Sequence, residues 1–188
     1  MTTNRRDFLV NSGFALSTVA LGLALPRSVR ATPAGPALGP VGVQLYSVRK
    51  AMQSDFEGTL QNVAAIGYKQ VEFAGLFGHS SAEVRSMLDR LGLTAPSMHV
   101  PFESLDTGWD AVIDDAHHLG CRHVIVPSIP GALRASLDDY RRVADKFTRG
   151  AEAAAKANLR FAYHNHDIDF APIDRRLPFD VLLEATDP

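Results

Sequence analysis

The stretch Phe56-Glu57-Gly58-Thr59-Leu60-Gln61-Asn62-Val63-Ala64-Ala65-Ile66-Gly67-Tyr68-Lys69-Gln70-Val71-Glu72-Phe73 decides the fold. Phe56, Leu60, Val63 and Ile66 recur at intervals of three or four, the period of one buried helix face. Gly67 then stops the helix, because a residue without Cβ enters the left-handed conformation of a helix end freely. A short β-rich run, Gln70–Phe73, follows at once. This order of helix, stop and strand repeats in both directions along the chain.

Five such runs stand out: Val41–Tyr46, Gln70–Phe73, Pro96–Val100, His123–Val126 and Arg160–Tyr163. Helical spacing lies between them, in Val84, Met87, Leu88 and Leu91, then Val112, Ile113, Ala116 and Leu119, then Leu137, Tyr140, Val143, Ala144 and Phe147. A sixth helical stretch covers Phe179–Ala185. Ser54-x-x-Glu57 and Ser80-x-x-Glu83 read as capping boxes, and Ser136-x-x-Asp139 as a weaker version. Gly67, Gly92, Gly120 and Asn158 each suit a helix end. Strand starts 29, 26, 27 and 37 residues apart fit the length of one strand–crossover–strand unit, about 30 residues. Alternating strands and helices imply a parallel sheet covered by helices. The first strand–helix junction, Leu45–Arg49, lacks the glycine-rich phosphate loop of a dinucleotide-binding sheet. The expected fold is therefore α/β, a (β/α)8 TIM barrel of which about the first five β/α units are present. A closed barrel usually takes about 250 residues, so the chain reads as truncated, with further strands expected beyond Pro188.

The barrel portion is expected over residues 41–188. Ahead of it, Thr3-Asn4-Arg5-Arg6-Asp7-Phe8-Leu9 resembles a twin-arginine export signal, followed by an uncharged stretch to Leu25 and small residues near Ala31. Residues 1–31 are expected to be that signal peptide, 32–40 a disordered Pro/Gly-rich linker, and the destination the periplasm. Contact with a membrane is expected only through the signal segment, if it stays uncleaved. The whole chain of 188 residues carries a net charge of −2, and residues 1–31 hold four arginines against one aspartate. What remains is more acidic still, which repels nucleic acid. The single cysteine, Cys121, starts an apolar run and reads as a buried, inert thiol.

Polar residues gather at the strand ends, where a barrel keeps its chemistry. Tyr163-His164-Asn165-His166-Asp167 closes the fifth run. Neutral imidazole ligates metals and shuttles protons near neutral pH, and strand alternation puts His164 and His166 on one side. Glu72 ends the second run among apolar neighbours, where a carboxylate must be exposed, paired or shifted in pKa. His99 ends the third run. Gln44 and Tyr46, in the first, suit hydrogen bonding to a polyol. His79, His117 and His118 read as solvated, and His123 as structural.

Taken together, Val43-Gln44-Leu45-Tyr46-Ser47-Val48-Arg49, Gly67–Gly75 and Phe161-Ala162-Tyr163-His164-Asn165-His166-Asp167-Ile168-Asp169-Phe170 resemble the sugar phosphate isomerase/epimerase family of the xylose-isomerase-like superfamily. The last of these is also similar to the Tyr-His-His-His run of inosose dehydratases. The resemblance implies a divalent metal (Mn, Mg, Zn or Co) at the barrel mouth and proton transfer beside a carbonyl carbon. Its ligands would be His164, which stands where some relatives have Glu, and residues of later strands. It implies Glu72, His99 and His166 as acid–base residues, and Gln44, Tyr46 and Asn165 as contacts to a small sugar or polyol. Asp169 stands where many relatives have Glu. The expected activity is sugar isomerisation or epimerisation. The alternatives are a keto-sugar or inosose-type dehydratase or lyase, and a non-catalytic sugar-binding or inactive truncated protein.

Overall fold

The computed structural model describes residues 39–186. The signal-peptide expectation, and nearly all of the expected linker, lie outside them. Five strands form one sheet: β1 (Gly42–Gln44), β2 (Gln70–Phe73), β3 (Thr94–His99), β4 (His123–Val126) and β5 (Arg160–Tyr163). Their order is β1-β2-β3-β4-β5 and every neighbouring pair is parallel. Helices fill the crossovers: α1 (Arg49–Ser54), α2 (Phe56–Ile66), α3 (Ser81–Leu91), α4 (Trp109–Leu119), α5 (Leu137–Lys156) and α6 (Pro178–Ala185). Among the described residues no helix is long and apolar enough to cross a membrane.

One face of the sheet is apolar. Val71, Phe73, Met98, Val124 and Val126 are buried together with Leu60, Val63, Val84, Leu88, Leu119, Val143 and Phe147 of the helices. The other face carries the residues in between. In-register pairing sets Gln44 beside Glu72, Glu72 beside Ser97, and Ser97 beside His123; one step on, His99 faces Ile125 and Ile125 faces Ala162. Residues paired across parallel strands share a face, so these polar groups line one surface.

A register shift makes this possible. Between β2 and β3 the pairing runs from Gln70–Thr94 to Glu72–Ser97, so β3 advances three residues while β2 advances two. Pro96, which has no backbone N–H to give a ladder, sits inside the extra step. Without the bulge Pro96 would oppose Glu72, and His99 would turn toward the helices, because a one-residue slip reverses every side chain.

Local expectations are corrected in three places. The first strand ends at Gln44, not Tyr46, and Leu45–Val48 winds into a 3-10 turn. The chain turns early because the Gln44 Oε1 accepts the Tyr46 backbone N–H at 2.9 Å. Helix α2 is capped by Asp55, which accepts from the Gly58 backbone N–H, while Ser54 ends the helix before it. Ile66 is 75% exposed, since it falls in the last turn beyond the buried stripe. The Ser80–Glu83 capping box forms as expected, and Ser136 caps α5. Gly67, Gly92, Gly120 and Asn158 all take positive φ. Cys121 is buried, and desolvation, with the Glu72 charge adding to it, pushes its thiol up to about 12.

Candidate active site

Glu72 and His99 meet on the polar face. The Glu72 Oε1 lies 3.0 Å from the His99 Nε2, and the Ser97 hydroxyl donates to the Glu72 Oε2 at 2.6 Å. The His99 ring beside it holds the Glu72 carboxyl below the usual carboxylate range; partial burial opposes this, and Ser97 adds to the lowering. Glu72 is thus ionised at neutral pH, in the form of a base.

Gln44 sets the His99 tautomer. Its Oε1 is already taken by the Tyr46 N–H, so its amide nitrogen faces the His99 Nδ1 at 3.4 Å. An amide nitrogen only donates, so Nδ1 accepts and the ring proton sits on Nε2. That Nε2 is buried 3.0 Å from the Glu72 Oε1, the contact that holds the Glu72 carboxyl down.

The loop after β5 brings in the two other histidines. The His164 ring packs edge-on to His99, with centroids 5.3 Å apart, and lies 5.0 Å from the His166 ring. Desolvation first, then the flanking His99 and His166 rings, lower the His164 pKa and favour its neutral form, against the Glu72 charge. This loop is anchored from beneath by Asp169, which is fully buried and accepts the Tyr163 hydroxyl at 2.7 Å, the Tyr140 hydroxyl at 3.3 Å and the His166 backbone N–H at 2.8 Å. Burial first, then the Asp169 charge, pushes the Tyr140 phenol up to about 12. Burial and the hydrogen bond to Asp169 raise the Tyr163 phenol as well. Both tyrosines stay protonated donors.

Glu72, His99, His164 and His166 thus come together, with Gln44 behind His99. Two other expected residues stand apart. Tyr46 turns its ring to solvent, where the Arg49 guanidinium lies 4.1 Å from the centroid. Asn165 is exposed, and its side chain makes no hydrogen bond among the described residues. The sequence did not single out Ser97 or Tyr140 for this site. Ser97 joins only through the bulge, and Tyr140 had the spacing of an ordinary core residue. An acid three residues after a strand-end histidine was the available signal for the Asp169 anchor.

A divalent cation needs several donors around one point. Among the described residues no three His, Cys, Asp or Glu side chains are grouped to hold one. Glu72 supplies one donor, the His99 Nε2 carries its proton, and His164 stands a ring away, so these residues alone do not fit the metal implied by the resemblance. The concave space over Gln44, Glu72 and Ser97 measures about 260 Å³. A larger apolar cleft of about 450 Å³, lined by Phe147, Phe161, Tyr163 and Phe179, includes side chains of the helix-covered side of β5, away from the polar cluster.

The profile described as xylose isomerase-like TIM barrel matches residues 60–175. Among solved structures, a sugar phosphate isomerase/epimerase from Parabacteroides distasonis ATCC 8503 is 23% identical with a TM-score of 0.68, covering 83% of this chain and 67% of that one. An AP endonuclease, family 2, from Brucella melitensis is 15% identical, TM-score 0.54, over 66% of this chain and 55% of its own. The IOLI protein, solved with a bound zinc atom, is 10% identical, TM-score 0.54, over 66% and 51%. The chain thus spans between about half and two thirds of these proteins, and at such identities the likeness is one of fold. The chain matches no curated protein. With the parallel sheet, its helical crossovers and the profile match in agreement, the chain belongs to the xylose isomerase-like TIM-barrel family.

Proposed function

We propose that the protein isomerises or epimerises a sugar by moving a proton beside a carbonyl carbon. One observation carries the reading: an ionised carboxylate, Glu72, and the buried N–H of the His99 imidazole lie 3.0 Å apart on the polar face. Glu72 takes the proton from the carbon next to the carbonyl. The C–H electron pair becomes a C–C π bond, and the carbonyl pair moves onto oxygen. His99 Nε2–H donates to that oxygen as charge develops, in a site where a fixed donor counts for more than water. Reprotonation at the neighbouring carbon isomerises, with the enediol proton passing between the two oxygens; return to the same carbon from the opposite face, by His166, epimerises. In this reading Gln44 orients His99, Asn165 contacts a sugar hydroxyl from the rim, and His164 is one donor to a divalent cation completed by groups outside residues 39–186. No step above runs through that cation.

The test is solvent deuterium incorporation into keto-sugars by the full-length protein, followed by NMR. Incorporation that falls at least a hundredfold in Glu72→Gln and His99→Phe supports the reading. Undiminished incorporation in Glu72→Gln would sink it, and a product that has lost water would assign the dehydratase alternative instead.

A further inference from the structure

We propose that Arg134, with Ser128, forms a subsite for an anionic group of the substrate, a carboxylate or a phosphate, at the mouth beside the Glu72–His99 pair. The inference rests on the sugar-enzyme reading above and narrows its substrate to an acidic sugar.

A cleft of about 500 Å³ opens beyond the ends of β4 and β5, lined by Ser128, Gly131, Arg134, His166, Asp167 and Ile168. Arg134 follows the 3-10 turn Gly131–Leu133, and its backbone N–H donates to the Gly131 carbonyl at 3.2 Å. Three arginines among the described residues are half-buried: Arg49, Arg85 and Arg134. Arg49 stacks on Tyr46 and bonds its carbonyl, and Arg85 pairs with Asp89. Arg134 alone of the three has no hydrogen bond or ion pair from its guanidinium to any described residue. A cation taken partly out of water without a partner is costly, and its planar fork matches two oxygens of a carboxylate or phosphate.

Two carboxylates face the cleft or lie beneath it. Asp167 accepts the Ile168 backbone N–H at 2.9 Å, and Asp169 is occupied by Tyr140, Tyr163 and the His166 N–H. Neither touches Arg134, but both lower the local potential, which weakens the pull on any anion and favours a singly charged carboxylate over a doubly charged phosphate. His166 belongs to the cleft and also to the histidine row. Ring-to-ring steps of 5.0 Å to His164 and 5.3 Å to His99 join the two sites. A sugar whose reacting carbon sits over Glu72 and His99 would thus direct its far end to Arg134.

The experiment is isothermal titration calorimetry on the full-length protein with fructose, fructuronate and the terminal phosphate ester of fructose. Wild type, Arg134→Ala, Arg134→Lys and Glu72→Gln are compared, with folding checked by circular dichroism. The acids should bind wild type about tenfold or more tighter than fructose, as a charge-assisted pair implies. Arg134→Ala should erase that preference, Arg134→Lys should keep part of it, and Glu72→Gln should keep it while losing deuterium exchange. Whichever acid binds tighter identifies the group. Equal binding of fructose and both acids, absence of binding by all three, or a preference that survives Arg134→Ala would overturn the subsite. Failure of deuterium exchange with the preference intact would instead overturn the isomerase reading and leave the anion site standing.

Discussion

Glu72 shows how one side chain is tuned by its neighbours. Its pKa is depressed, so the charge contributes stability at pH above the ordinary glutamate range, and that contribution is lost as pH falls through the lower folded value. Thermal melts between neutral pH and about pH 3 should therefore fall less steeply for Glu72→Gln than for wild type; parallel curves would contradict the assignment. Ser97→Ala removes a 2.6 Å hydrogen bond to the same carboxylate and should raise the Glu72 pKa, read by carbon-13 NMR of the side chain. At Asp169 the buried carboxylate relies on its donors. Tyr163→Phe should lower stability by about 1–3 kcal/mol in urea unfolding, because a buried acceptor then loses its shortest partner.

Single elements owe their positions to a few residues each. Helix α3 begins at a reciprocal cap, with the Ser80 side chain on the Glu83 backbone N–H and the Glu83 carboxylate on the Ser80 backbone N–H. Ser80→Ala should cost about 1 kcal/mol by the same measurement, and a neutral result would remove the cap from the account. Reading the sequence placed this helix start correctly and misplaced the start of α2. Ser54 and Asp55 are both good caps, and only the preceding short helix, which takes Ser54 as its last residue, selects Asp55. Strand β3 was legible as a strand, but its bulge was not: alternation counted from Ala95 puts His99 on the helix side, and the extra step at Pro96 reverses it.

For the molecule as a whole, the sheet leaves β1 and β5 each with one unpaired edge among the described residues. Such edges template pairing with other chains. At the N-terminus, Arg5→Lys together with Arg6→Lys should hold the protein in the cytoplasm if the twin-arginine pattern is its address, and fractionation of cells decides it.

The sequence by itself determined the order of helices and strands, their parallel pairing, and the clustering of polar residues at strand ends. Each of these rests on periodicity or on a cap, and both are local properties of the chain. Only the tertiary structure decided which strand-end residues meet. Tyr46 was lost to the cluster when its own N–H, held by Gln44, ended β1 early, while Ser97 and His99 were turned into it by a bulge between neighbouring strands. The tautomer of His99 and the unpartnered state of Arg134 also depend on atoms brought close from distant positions in the chain. A linear sequence carries the identity of those groups but not their separation in space.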